Sequence, residues 1–272
     1  MASNDFGSMD MKDILFIGVL LMFVLLLMLE LFRPFRRFGV QIAKASFVTN
    51  TSAFLFNNVV LSLLSASSLF AVAERYSQVG LLATMDGGIA KGILSFVLFD
   101  LVIYLWHAAS HRFEPLWRFH KIHHSDKSLN VTTGFRFHVI DLLLELILKC
   151  IVVVILGLEA YTVLICELVR MLFVMFHHTN VSFAGERWLS SILITPSLHR
   201  LHHSTVRSEH DSNYGIVLSV WDRLFRTRQE GVPEKIGLEL IEAENFVQLF
   251  CLAFITERRI AQLLRIIPRG HR

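Results

Sequence analysis

Five stretches of this chain are apolar over lengths close to the thickness of a bilayer, and nothing else about it restricts the fold as much. Residues 14–32 carry no charge before Glu30, and about 20 such residues are enough for one helix to cross the hydrocarbon layer. Residues 53–73 and 88–109 are the second and third runs. Residues 139–159 and 161–176 follow back to back around Gly157. With 54% hydrophobic residues overall, the composition exceeds that of an ordinary soluble domain. The expected fold is all-α, a polytopic membrane bundle of about five spans whose last two form a helical hairpin.

Charge sets the orientation. Asp5, Asp10 and Asp13 outweigh Lys12 ahead of the first run, whereas Arg33, Arg36, Arg37 and Lys44 follow it. The positive-inside rule therefore puts the N-terminus outside and the 33–44 connection in the cytoplasm. The acidic lead also favours a retained span over a cleaved signal, whose leading region is basic. The second run goes out and the third returns, with Arg112, Arg118, Lys121 and Lys127 marking its far end as cytoplasmic. The hairpin goes out again and comes back at His177 and His178. From Ser204 to Asn245 the chain is polar and is expected in the cytoplasm. Residues 246–267, with Glu257, Arg258, Arg259 and Arg265, are expected to lie on the membrane as an amphipathic helix. A net charge of +3 is too small to suggest a nucleic-acid partner. Cys150, Cys166 and Cys251 have no CxxC spacing and read as small buried hydrophobes.

Three histidine clusters sit on this frame: His107 and His111 in HAASH, His120, His123 and His124 in HKIHH, and His199, His202 and His203 in HRLHH. Residues three or four apart share a helix face, so each cluster aims its rings in one direction. The charge rule, applied without reference to histidine, puts all three clusters on one membrane face, as a histidine-rich cytoplasmic helical cap. These imidazoles are too many for one ion but suit a pair of ions about 4 Å apart. Imidazole suits iron as well as zinc, copper and nickel. Neutral rings leave the full charge on the metals, so an oxidised pair would be strongly electrophilic, and iron is the expected metal. His178 is a further donor, with His138 and His177 in reserve. Asp100, Tyr104, His107 and His111 fall on one helical stripe, so Asp100 either accepts a ligand's N–H or is a helix-end aspartate hydrogen-bonded to a neighbour. Asp141, Glu145 and Lys149 recur at i, i+4 inside a span, where charge usually marks an interior path. The isolated His210 and His271 read as surface or hydrogen-bonded residues. HExxH and the nucleophile elbow are both missing, which disfavours zinc proteolysis and serine hydrolysis.

The segments DLVIYLWHAASHR, LWRFHKIHHSD, FRFHVID, FHHTNV, TPSLHRLHHS and DSNYGIVLSVWDRLF, between about Asp100 and Phe225, resemble the fatty acid hydroxylase and sterol desaturase superfamily of integral-membrane di-iron enzymes. The resemblance implies metal-ligand roles for His107, His111, His120, His123, His124, His178, His199, His202 and His203. It leaves the role of His138 open and matches Asp211, Asn213 and Asp222 to recurrent positions, as hydrogen-bond partners of ligands or as structural residues; His177, Asn180, Asp100 and Tyr104 are further candidates for ligands or their hydrogen-bond partners. Val139 stands where relatives often have the proline of a His-Pro pair.

The expected organisation is 1–87 as N-terminal spans, 88–228 as the catalytic domain and 229–272 as an amphipathic tail. The expected activity is O2-dependent hydroxylation or desaturation of a lipid C–H bond at two iron ions. A separate electron donor of the cytochrome b5, ferredoxin or reductase type is expected, since neither a haem-binding His-Pro-Gly-Gly nor a dinucleotide fingerprint occurs. The expected location is a bacterial inner membrane or the endoplasmic reticulum. An ether-lipid monooxygenase, an aldehyde-processing relative and a silent zinc-bound lipid-binding protein are the alternatives.

Overall fold

A computed structural model of the chain describes residues 11–64, 68–239 and 243–255. Among the described residues there are helices and turns, two isolated bridges (Leu193 with Leu218, Ser204 with Ile236) and no strand. The first helix, α1 (Met11–Phe32), is apolar on all sides and leaves Phe16, Leu21, Leu25 and Leu31 exposed. A helix of that kind belongs in lipid. Glu30, buried near its end, accepts the backbone N–H groups of Val131 (3.0 Å) and Asn180 (3.2 Å), and so fastens the end of α1 to the site region.

The second helix, α2 (Val40–Leu63), differs. Its buried face is polar: Ser46, Thr49, Asn50 and Asn57, with Ala53 among them. The apolar run expected over 53–73 is divided, its first segment closing α2 and its last segment opening α3 (Ser68–Tyr76). Hydrophobicity alone misjudged this region because α2 packs by hydrogen bonds. Asp126, fully enclosed, accepts from Ser46 (2.8 Å), Asn50 (2.9 Å) and Thr133 (2.7 Å) on one oxygen. Arg136 donates to Asn50 Oδ1 (2.9 Å) and to Ser125 Oγ. The Arg136 charge holds the Asp126 carboxyl below the usual range despite its burial. This web ties α2 to the segment after the second histidine cluster.

Helix α4 (Ile89–Arg112) runs into α5 (Glu114–His124) through an extended Phe113, and Pro115 at the start of α5 suits a first turn, whose N–H groups have no intrahelical acceptor. A 3-10 turn (Val131–Phe135), opened by the capping box of Asn130 and Thr133, leads into α6 (Val139–Leu156). Gly157, at φ 68°, turns the chain into α7 (Ala160–His178), which makes the expected hairpin. Gly80 and Gly157 meet back to back there, and Leu81 and Leu82 donate to the last carbonyls of α6. The apolar core joins Leu69, Ala73, Phe99, Ile103, Val153 and Val163 from α3, α4, α6 and α7. Short helices complete the described chain: α8 (Glu186–Leu189), α9 (Pro196–His202), α10 (Arg207–His210), α11 (Val220–Leu224) and α12 (Phe246–Leu252).

Among the described residues, three helices are long and apolar enough to cross a membrane: Asp13–Phe32, Ile89–Arg112 and Ala160–His178. Helix α6 is 18 residues long and carries Asp141, Glu145 and Lys149. Of the surface helix expected over 246–267, α12 is its start, and residues 256–267 lie outside the described residues.

Candidate metal centre

The histidines come together at the ends of four helices. His107 and His111 stand one turn apart at the end of α4, His120, His123 and His124 at the end of α5, and His178 at the end of α7. Pro196 starts α9, whose last turn supplies His199 and His202, with His203 as its cap. All nine are buried. They form two groups in which one ring nitrogen of each residue lies within 4.8 Å of the others: His107, His111, His120, His124 and His202, and then His123, His178, His199 and His203. The groups abut, with the rings of His124 and His203 stacked at 4.4 Å.

Hydrogen bonds at Nδ1 orient the rings. His107 Nδ1 lies 2.8 Å from the carbonyl of Tyr214, His202 Nδ1 lies 2.6 Å from that of Ser212, and His178 Nδ1 lies 2.6 Å from that of Val174. A carbonyl only accepts, so each of these Nδ1 atoms carries the proton and each Nε2 is a bare lone pair. Yet His107 Nε2 and His202 Nε2 face each other at 3.0 Å. Two lone pairs at that distance repel, and a cation beside both removes the conflict. His178 Nε2 similarly stands 3.0 Å from Nε2 of both His123 and His199, and His199 Nε2 stands 3.1 Å from that of His203. Nε2 of His111, His120 and His124 has no hydrogen-bond partner.

Burial, reinforced by neighbouring imidazoles, holds His123, His124, His199, His202 and His203 well below the usual imidazole range. These rings are therefore neutral, the protonation state a metal requires. The donor set fits octahedral better than tetrahedral ions. At a metal–nitrogen distance of about 2.1 Å, neighbouring donors are about 3.0 Å apart in an octahedron and about 3.4 Å apart in a tetrahedron. The 3.0 Å contacts and the group of five donors match the former.

The other candidates are more dispersed. His111 Nδ1 approaches Asp211 at 3.4 Å. His177 is buried, its ring 3.9 Å from that of His199, but it belongs to neither group. His138 caps α6, its Nδ1 accepting from Ile140 N–H, and packs on Phe119 and Phe250 away from both groups. Asp100 does not accept from an imidazole. It takes Trp221 Nε1–H (2.8 Å) and Leu218 N–H (3.3 Å). Tyr104 Oη pairs with Thr227 Oγ1. Asn180 exchanges bonds with the Arg36 backbone, and Asn213, at φ 52°, binds the carbonyls of Leu198 and Gln229. Asp222 accepts from the N–H groups of Tyr214 and Gly215, which holds the carbonyl that meets His107.

Two residues escaped the sequence reading of the site. Asp141 Oδ2 lies 3.1 Å from His120 Nδ1, the role assigned to Asp100. The i, i+4 stripe that contains Asp141 was the available signal, because its first member faces the cap. His210, read as isolated, is buried against the first group, stacked on Trp117 and 5.7 Å from the ring of His111. His271 lies outside the described residues.

The family described as fatty acid hydroxylase matches residues 92–227, half the chain. The chain is 37% identical over 135 residues to ornithine lipid hydroxylase OlsE of Rhizobium tropici, covering 50% of this chain and 40% of that one. It is 31% identical over 152 residues to alkylglycerol monooxygenase of Homo sapiens, covering 56% and 33%, respectively. For the Caenorhabditis elegans alkylglycerol monooxygenase the values are 33% over 135 residues, 48% and 26%. The chain thus spans well under half the length of these curated relatives. No solved structure matches.

Proposed function

Because the chain belongs to the fatty acid hydroxylase family, we propose that it is a membrane di-iron oxidoreductase that uses O2 and an external reductant to hydroxylate or desaturate a lipid C–H bond. The observation that carries this reading is the pair of abutting groups of neutral imidazoles with their bare nitrogens turned on one another. His107, His111, His120, His124 and His202 hold one iron, and His123, His178, His199 and His203 hold the other. Bound iron supplies the activation of O2 needed to oxidise an unactivated C–H bond, with the balance RH + O2 + 2e⁻ + 2H⁺ → ROH + H2O for hydroxylation.

The protein's own role is positioning. Asp141 fixes the tautomer and tilt of His120, and the carbonyls of Tyr214, Ser212 and Val174 do the same for His107, His202 and His178. Phe137 stacks on His123 at 4.5 Å and keeps water from that side. The lipid substrate is supported by the names of the relatives, a lipid hydroxylase and an alkylglycerol monooxygenase. The latter favours an ether lipid as the second reading. In this account residues 88–228 are the catalytic domain, and the bundle crosses the membrane about five times. The histidine cap faces the cytoplasm, where a soluble or membrane-anchored donor protein delivers electrons. Zinc with no turnover is the rival outcome.

Metal analysis combined with O2 consumption in a lipid extract, with dithionite or a reductase as donor, tests the proposal. Bound iron with lipid- and reductant-dependent O2 uptake is expected. Stoichiometric zinc without uptake would overturn it.

A further inference from the structure

The chain has four tyrosines, and they divide by environment. Tyr76 and Tyr161 are exposed, whereas Tyr104 and Tyr214 are buried beside the histidines. The ring of Tyr214 lies 5.1 Å from that of His111 and 5.7 Å from those of His107 and His202, so it packs on three members of the first group. The ring of Tyr104 meets Tyr214 edge to face at 6.2 Å and stacks on Phe225 at 5.3 Å. Phe225 is 46% exposed, so this line of aromatic rings runs from the imidazoles to the surface.

The hydroxyl of Tyr104 opens a hydrogen-bonded chain with a fixed direction. Thr227 Oγ1 lies 2.7 Å from Asp222 Oδ1 and 2.8 Å from Tyr104 Oη. A carboxylate only accepts, so the single hydroxyl proton of Thr227 goes to Asp222 and Tyr104 is the donor to Thr227. Burial holds the Asp222 carboxyl above the usual carboxylate range, which makes it a readier proton acceptor. Asp222 already ties Thr227 to the N–H groups of Tyr214 and Gly215, so that turn keeps its shape without the Tyr104 hydroxyl. A phenol yields an electron readily only when its proton leaves with it. Tyr104 has both exits, one through its ring and one through its hydroxyl.

Building on the reading of the histidines as an oxidising centre, we propose that Tyr104 is a redox-active residue that discharges the centre when no lipid is bound. Tyr104 gives one electron, through Tyr214, to the oxidised iron pair. Its phenolic proton passes to Thr227 Oγ1 as the proton of Thr227 passes to Asp222, with the balance Tyr–OH + Asp–COO⁻ → Tyr–O• + Asp–COOH + e⁻. The hydroxyl of Thr227 is regenerated in the step and then donates to the phenoxyl oxygen. Phe225 leaves one ring's thickness between Tyr104 and the surface. The external reductant returns the electron there as Asp222 returns the proton, and the ligating imidazoles are spared oxidation.

The test is electron paramagnetic resonance on the iron-loaded full chain in dodecyl maltoside, frozen after hydrogen peroxide is added without lipid. The wild type is expected to give a tyrosyl radical whose spectrum narrows when the chain is made with ring-deuterated tyrosine. Tyr104→Phe should lose that signal. Thr227→Val, which removes the first proton acceptor, should lower its yield by about tenfold or more, whereas Thr227→Ser and Tyr161→Phe should keep it. Iron content is measured on every variant, and should Tyr104→Phe fail to fold, Thr227→Val against Thr227→Ser decides. A wild type that binds two irons and oxidises lipid but gives no radical would overturn the proposal, as would a signal that survives Tyr104→Phe. A chain that holds no iron and oxidises no lipid would instead sink the oxidase reading, and this one with it.

Discussion

At the scale of single residues, the site is a matter of which nitrogen carries the proton. Asp141 touches the ring of His120, whereas Asp100 touches Trp221 and no imidazole. Asp141→Ala is therefore expected to weaken iron binding by about 10–100-fold with the helical signal unchanged. Asp100→Asn should leave iron affinity alone and lower stability by about 1–3 kcal/mol. Competition with a calibrated chelator, together with thermal unfolding, reads both. Acid should act through the neutral rings. His123, His124, His199, His202 and His203 have folded-state values below the unfolded imidazole value of about 6.5. Between the two values the unfolded chain binds protons that the folded chain refuses, so their contribution to stability is complete above about pH 6.5 and is lost as the pH falls below it. The Tm of the metal-free protein should be level in weak alkali and fall steadily on acidification, and a Tm that rises would contradict the burial of neutral rings. The clustering of the histidines was legible because helical spacing carries it. The carbonyls of Tyr214, Ser212 and Val174 that aim them were not, because a backbone acceptor leaves no mark in the side-chain pattern.

At the scale of elements, periodicity and apolar length found α1, α4 and the α6–α7 hairpin, and failed at α2. That helix buries Asn50 against Asp126 and Arg136, a partnership between residues far apart in the chain. Asn50→Leu is expected to leave both charges short of a partner and to cost about 1–3 kcal/mol, measured as a lower Tm in micelles with faster loss of iron. The turn of the hairpin offers a second check. Gly157 sits at φ 68°, and a Cβ there would fall 2.3 Å from the Val79 carbonyl oxygen. Gly157→Ala therefore combines left-handed strain of about 1–2 kcal/mol with a backbone clash. It should lower the Tm more than Gly18→Ala, whose Cβ would meet open space.

At the scale of the whole molecule, two independent regularities converge. The distribution of arginine and lysine assigns sides to the connections, and the helix ends gather nine imidazoles at one end of the bundle. Single cysteines introduced at Lys127 and at Asp86, in a chain cleared of its own three cysteines, should label from opposite sides of sealed vesicles, Lys127 from the cytoplasmic side. Labelling of both from one side would overturn the proposed topology and leave the metal centre untouched. The centre itself rests on two abutting baskets of nitrogen, and counting metals tests that most directly. Chain produced with iron and quantified by mass spectrometry, with iron X-ray absorption on the same sample, should give two irons per chain in an all-nitrogen or nitrogen-and-water shell. One metal per chain, or four-coordinate zinc in place of iron, would contradict the account.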